Sequence, residues 1–341
     1  MSRLRQLQIE WNALIADAQA RGLNVNPVRL YPEGLHERIT HRQSRLNWLR
    51  SQLGMTTVLT QTVAANVDGV LTFGVELEFI HPRQFRSAVV TALQAAGINI
   101  LEEGYNHRLA NHWKVTTDGS LMNRTYGSEI VSPVLSGDEG FSQLTKVCEV
   151  LTALGCKINK KCGMHVHVGA RNENVDFFKS LVRLYSKAEP VVESFLAPSR
   201  RGHANPFCGP VRINQAKLDA ATTVEQVAEA TSQNHSPNPR DSILRSANRY
   251  RKLNLQSFWQ HGTVEFRQHH GTIEATKVCN WVRFCLRMVL AARKGVVLTD
   301  VTLESLLSVV EATESEKTYF NGRKTFFDRA ANRRLTANAR L

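Results

Sequence analysis

Apolar residues recur along most of this chain with one of two periods. In LTFGVELEFI, residues 71–80, every second position is apolar: Leu71, Phe73, Val75, Leu77 and Phe79. A period of two is that of a β-strand with one buried face. It leaves Thr72, Gly74, Glu76, Glu78 and Ile80 on the opposite face, so two carboxylates project side by side about 7 Å apart. The same reading predicts strands over residues 113–118, 127–134, 163–169, 251–256 and 263–268. Helices are predicted over 84–96, 138–154, 173–196, 222–232, 274–295 and 301–313. Because the strands alternate rather than run apolar throughout, one face of the sheet is expected to lie on helices and the other to be open. The fold class is α+β.

The ends of the chain differ from this middle. Residues 2–22 and 35–53 each carry apolar positions near helical spacing, with the Pro-containing connector NVNPVRLYPEG between them. They predict an N-terminal helical hairpin over residues 1–60, a candidate for homo-oligomer formation. The main domain is expected over 70–315, followed by a basic C-terminal tail over 316–341. Within the domain, residues 198–250 are rich in Pro, Asn, Ser and Arg and read as a lid-like insertion.

Charge changes the picture through its distribution. The net charge is +13, of which residues 1–60 supply +4 and residues 317–341 supply +6. The basic character therefore sits at the ends, which argues against a nucleic-acid enzyme with a basic central groove. No run of eighteen apolar residues exists, so no membrane span is expected. The N-terminus lacks the apolar core of a secretory signal, and a cytoplasmic location is expected. The six cysteines form no CxxC pair and read as small buried hydrophobes rather than a zinc site.

Four segments carry candidate chemistry. Glu76 and Glu78 share the polar face of the first strand and suit a hard cation such as Mg²⁺. In GMHVHVG, residues 163–169, His165 and His167 share one face, with apolar residues behind them; imidazoles bind metals or donate to phosphate. In TVEFRQHHGT, Glu265 and Arg267 share a face, pairing a metal ligand with a guanidinium suited to a phosphoryl group. In KVTTDGSLMNRTYGSEIVSPVL, Asp118 opens a turn and Glu129 stands in an otherwise uncharged strand. Taken singly, each has an ordinary explanation: a solvated pair, a cross-face ion pair, a turn residue. In one sheet, however, the polar faces would gather carboxylates that repel one another unless cations lie between them.

The ordered set GVELEF, TTDGS, GSEIVSP, GMHVHVG, YRKLNLQ and TVEFRQHHGT resembles the amidoligase family. These are carboxylate–amine ligases related to glutamine synthetase and glutamate–cysteine ligase. The resemblance covers about residues 70–295. It implies a curved, mainly antiparallel sheet of the glutamine synthetase/guanido kinase-like type, with helices on one face. It also implies ATP and two or more Mg²⁺ ions, with Mn²⁺ as an alternative, and amide formation through an acyl phosphate. By the same resemblance Glu76, Glu78, Glu129, His165 and Glu265 are metal ligands, and His167, Asn254, Arg249 and Arg267 contact ATP. Arg249, Arg267 and Asp118 are the catalytic candidates, Arg249 being chosen over Arg245 and Arg251. Asp118, Ser132, Arg200 and Asn205 are expected to touch substrate. The implied partners are a small molecule, peptide or protein bearing a carboxylate, and an amine. Two alternatives remain open at this level: a guanidino-type phosphotransferase, and a non-catalytic protein whose basic ends bind nucleic acid or acidic partners.

Overall fold

The structure, a computed structural model, describes residues 71–81, 86–104, 106, 108–117, 121, 127–203, 205–233 and 249–338, together with residues 12, 16 and 20. The chain divides into two compact units, residues 1–65 and 66–341. Apart from those three residues, the hairpin expected over residues 1–60 lies outside the described residues. Every element named below belongs to the second unit.

In chain order these are β1 (Phe73–Ile80), α1 (Arg86–Ala95), β2 (Ile100–Glu102), β3 (Trp113–Thr116), β4 (Gly127–Val131), α2 (Gly137–Ala153), β5 (Gly163–Gly169), α3 (Val175–Ser194), α4 (Gln215–Ala220), α5 (Val224–Ala230), β6 (Leu253–Asn254), α6 (Ser257–His261), β7 (Thr263–His270), α7 (Ala275–Arg293), α8 (Leu303–Val309) and α9 (Glu314–Asn338). The seven strands form one sheet in the order β2-β3-β4-β1-β5-β7-β6. Every neighbouring pair is antiparallel except β2 with β3. The fold is thus α+β with a mostly antiparallel sheet. Among the described residues, no helix is long and apolar enough to cross a membrane.

The period-two residues form the core. Phe73, Val75, Leu77 and Phe79 of β1 are buried, as are Val115, Ile130, Val166, Val264 and Phe266 on the strands beside it. Burying side chains of this kind stabilises the fold by about 1.5–3 kcal/mol each. Three helices cover this face. Phe141 of α2 lies 4.9 Å from Phe73, Tyr185 of α3 5.5 Å from Phe266, and Trp281 of α7 5.1 Å from His269, between ring centroids. All six cysteines are free and buried.

Several elements depart from the sequence reading. The strand expected over 251–256 shortens to Leu253–Asn254, and β2 was not predicted because only Ile100 of its three residues is buried. In β7 the alternation fails after Arg267. While β5 advances from Met164 to Val166, β7 advances from His269 back to Phe266, one residue more. This bulge turns both Gln268 and His269 into the interior, where Gln268 Oε1 accepts from the Tyr185 hydroxyl at 2.6 Å. Residues 314–338 are helical; Glu316 of α9 pairs with Arg287 at 2.8 Å, and Phe320 packs on Phe195.

A buried lysine fixes the segment that follows α3. The Lys252 ammonium, fully enclosed, pairs with Glu189 at 2.7 Å and Glu193 at 2.5 Å. Glu189 also accepts from the Val211 N–H and Glu193 from that of Gly202. The Lys252 carbonyl accepts from the Arg267 N–H at 2.8 Å. One side chain thereby joins α3, residues 202–211 and the start of β6 beside β7.

Candidate active site

The polar residues of the strands meet on the open face because of the sheet register. Glu76 of β1 stands directly opposite His165 of β5, and Glu78 opposite Glu129 of β4. His167 stands opposite Glu265 of β7, which in turn faces Asn254 of β6. Opposed residues share a face, so five strands bring these groups onto one floor. That floor lines a cavity of about 1020 Å³.

Two ligand triads share a carboxylate. Glu76, Glu129 and His165 each present a donor atom within 4.8 Å of the others, and so do Glu76, His167 and Glu265. The His165 Nδ1 lies 2.7 Å from Glu76 and 3.6 Å from Glu265, and its Nε2 lies 3.9 Å from Glu78. The His167 Nε2 lies 3.4 Å from Glu76, and its Nδ1 lies 3.0 Å from the Thr263 hydroxyl. Glu78 accepts the Gly163 N–H at 2.7 Å. Here glycine is needed for space, since a Cβ at 163 would stand 2.7 Å from Arg200 Nη2.

Electrostatics keep Glu76 and Glu265 ionised. Burial raises the Glu76 carboxyl, but hydrogen bonds from His165 and His167 more than reverse this and leave it well below the usual range. Burial likewise raises Glu265, and the charges of Arg267, His167 and His165 bring it down to about 2. His167 is lowered by burial yet raised overall by Glu265 and Glu76. Arg267, bonded to Glu265 at 2.5 Å, stays charged. Four carboxylates gathered on one floor suit divalent cations, and the mixture of carboxylate and imidazole donors accommodates Mn²⁺ as well as Mg²⁺.

The remaining expected residues divide. Arg249 lines the cavity with its guanidinium 5.1 Å from the Tyr250 ring, and Arg267 lies 5.6 Å from the same ring. Asn254 donates to Glu265 at 2.6 Å, so it orients a carboxylate of the floor. Arg200 is buried at the cavity wall and donates to the Lys161 carbonyl. Ser132 lines the cavity, but its hydroxyl accepts from the Val75 N–H and donates to the Pro133 carbonyl, holding β1 to the end of β4. Asn205 is absent from the cavity lining; its side chain accepts from the Phe207 N–H and shapes a turn. Arg251 pairs through its backbone with Gly209 and is also absent from the lining. Asp118 and Arg245 lie outside the described residues.

Among the cavity residues that sequence reasoning missed is a buried lysine. Lys114 of β3 pairs in register with Val131, which pairs with Glu76, and it therefore belongs to the same face. The signal was present, since Trp113 and Val115 are core residues and Lys114 must point the other way.

A family model described as "Putative amidoligase enzyme" matches residues 70–289. No match was found among curated proteins. The matched span covers more than half of the chain and holds every residue of the floor, from Glu76 on β1 to Arg267 on β7. The chain belongs to the amidoligase family, a family of ligases that form amide bonds.

Proposed function

We propose that this ligase is ATP-dependent and joins a carboxylate to an amine through an acyl phosphate. The observation that carries this reading is the sharing of Glu76 between two ligand triads on one floor. Two adjacent divalent cations are an arrangement well suited to phosphoryl transfer between two anions. Glu76, Glu129 and His165 would hold one cation, and Glu76, His167 and Glu265 the other. When bound, such ions neutralise the charge of a triphosphate and a carboxylate that must approach each other.

The protein's own groups have distinct tasks in this scheme. Arg267, fixed by Glu265, and Arg249, placed over Tyr250, grip the transferred phosphoryl group and stabilise its charge. Arg200 faces the donor carboxylate from the cavity wall. A carboxylate oxygen attacks the γ-phosphorus, and the bond to the bridging oxygen of ADP breaks. The amine nitrogen then attacks the acyl carbon, phosphate leaves with the C–O electron pair, and the nitrogen gives up a proton.

Incubation with ATP, Mg²⁺ and mixtures of amino acids or peptides should yield ADP together with a new amide product detectable by mass. Unchanged ATP turnover in both Glu76→Ala and Glu265→Ala would contradict the assignment.

A further inference from the structure

The described residues contain four buried side chains of Lys or Arg: Lys114, Arg200, Lys252 and Arg287. Two of them lie away from the cavity and pair directly with carboxylates, Lys252 with Glu189 and Glu193, and Arg287 with Glu316. The other two line the cavity, and no carboxylate among the described residues pairs with either. Buried charges are ordinarily compensated by a direct partner. The pairing rule therefore holds in the interior and lapses where a ligand would enter.

Lys114 is 5% exposed, and its ammonium donates to two neutral oxygens, Asn106 Oδ1 at 3.2 Å and the Arg108 carbonyl at 2.8 Å. Glu103 does not bond the ammonium directly: Asn106 donates to Glu103 Oε2 and His112 bonds the other oxygen at 2.6 Å, and these bonds, with the Lys114 charge as a lesser influence, hold the Glu103 carboxyl below its usual range. Along the sheet, Lys114 on β3 and Arg200 beside Gly163 on β5 bracket the Glu76–Glu129–His165 triad. The arginine pair Arg249 and Arg267 lies toward the opposite edge, next to the Glu76–His167–Glu265 triad. The same cavity lining carries two exposed aliphatic side chains, Leu109 at 65% and Val134 at 58%.

We infer that Lys114 binds a second anionic group on the acyl donor, so that the donor is a dicarboxylate or similar dianion with an aliphatic stem. This rests on the ligase reading above and assigns its two sides: nucleotide toward β6 and β7, acyl donor toward β3 and β4. The reacting carboxylate lies at the Glu76–Glu129–His165 triad under Arg200. The distal anion meets the third N–H of Lys114, and the stem lies along Leu109 and Val134. Cations on the floor would neutralise the carboxylates there and leave Lys114 available to the donor.

The test uses the full chain with Mn²⁺ and a non-hydrolysable ATP analogue. Binding of succinate, glutarate and adipate is compared by calorimetry with that of monocarboxylates of equal length. At least one dicarboxylate should bind the wild type about tenfold more tightly than its monocarboxylate, the scale of one hydrogen bond to a charged group. Lys114→Gln and Lys114→Met, with folding checked by thermal melting, should erase that preference and leave analogue affinity unchanged. If Lys114 only fastened the Asn106–Arg108 segment, mono- and dicarboxylates would weaken together and the ratio would persist, which overturns the proposal. So would a wild type without preference that still binds Mn²⁺ and the analogue. A wild type that binds neither would instead overturn the ligase reading, and this inference with it.

Discussion

Two clusters of charge lie within this protein, and they are built on opposite rules. Around Lys252, two carboxylates converge on one ammonium, and their remaining hydrogen bonds are taken by the N–H groups of Val211 and Gly202. On the open face, Glu76, Glu78, Glu129 and Glu265 share a floor where, among the described residues, Arg267 is the arginine or lysine paired directly with one of them, Glu265. The first cluster is complete in itself and positions the chain. The second gathers four carboxylates that strand register holds in place; His165, His167 and Arg267 keep Glu76 and Glu265 ionised, and the donor set as a whole suits added cations. Burial is common to both; the balance of charge separates a structural cluster from one built to receive a ligand.

The contrast is broken most severely at Lys252. Lys252→Met strands two carboxylates in the interior and should cost about 3–5 kcal/mol of unfolding free energy, read by chemical denaturation. Glu76→Gln tests the other side. It removes a ligand from both triads and should lower Mn²⁺ affinity about a hundredfold, or by ~2.7 kcal/mol. Unfolding free energy without metal should fall by less than in Lys252→Met, since the charge interaction with His165 and His167 is lost but the Gln side chain can still bond to His165. Wild type should gain about 2.7 kcal/mol at a metal concentration 100 times Kd, and the variant much less at that concentration. A loss of metal-free stability in Glu76→Gln equal to that in Lys252→Met would abolish the distinction.

The effect that is smallest at neutral pH, and grows only in acid, sharpens the boundary between the two faces. His270, at the inner end of β7, is held down to about 3 from 6.5 by burial and by the charge of Arg323, and His269 beside it lies well below its usual value. Between these two values the unfolded chain binds the proton and the folded chain does not. Stability from His270 is therefore full above pH 6.5 and falls as pH drops toward 3, by at most about 1.4 kcal/mol per unit. His270→Gln should flatten that slope in denaturation curves taken across the window.

Much of this arrangement was legible in the sequence because two faces of one strand obey different chemistry. Alternation in LTFGVELEFI and GMHVHVG identified both the core side chains and the groups behind them, and β5 spans the residues expected. Legibility failed where the period failed. The bulge in β7 turned Gln268 and His269 inward, and β6 kept only two of its six expected residues. Ser132 and Asn205 were read as polar contacts for substrate, and the structure adds a role the sequence did not show: their side chains bond to the backbone. That use depends on local turns, which residue type alone does not reveal. Lys114 was overlooked for a different reason: a single lysine in a strand is unremarkable until its lack of a carboxylate partner is seen.

The direct opposition of Glu76 to His165, Glu78 to Glu129 and His167 to Glu265 has a further consequence for how this chain can vary. A one-residue slip of β1 would carry Glu76 and Glu78 into the helix-covered interior and drive Val75 and Leu77 outward. Lengthening or shortening these strands therefore ruins the core in the same stroke as the chemistry. Such changes are removed as misfolded protein before they can circulate as inactive enzyme, whereas the loops between the strands can drift in length without disturbing the floor.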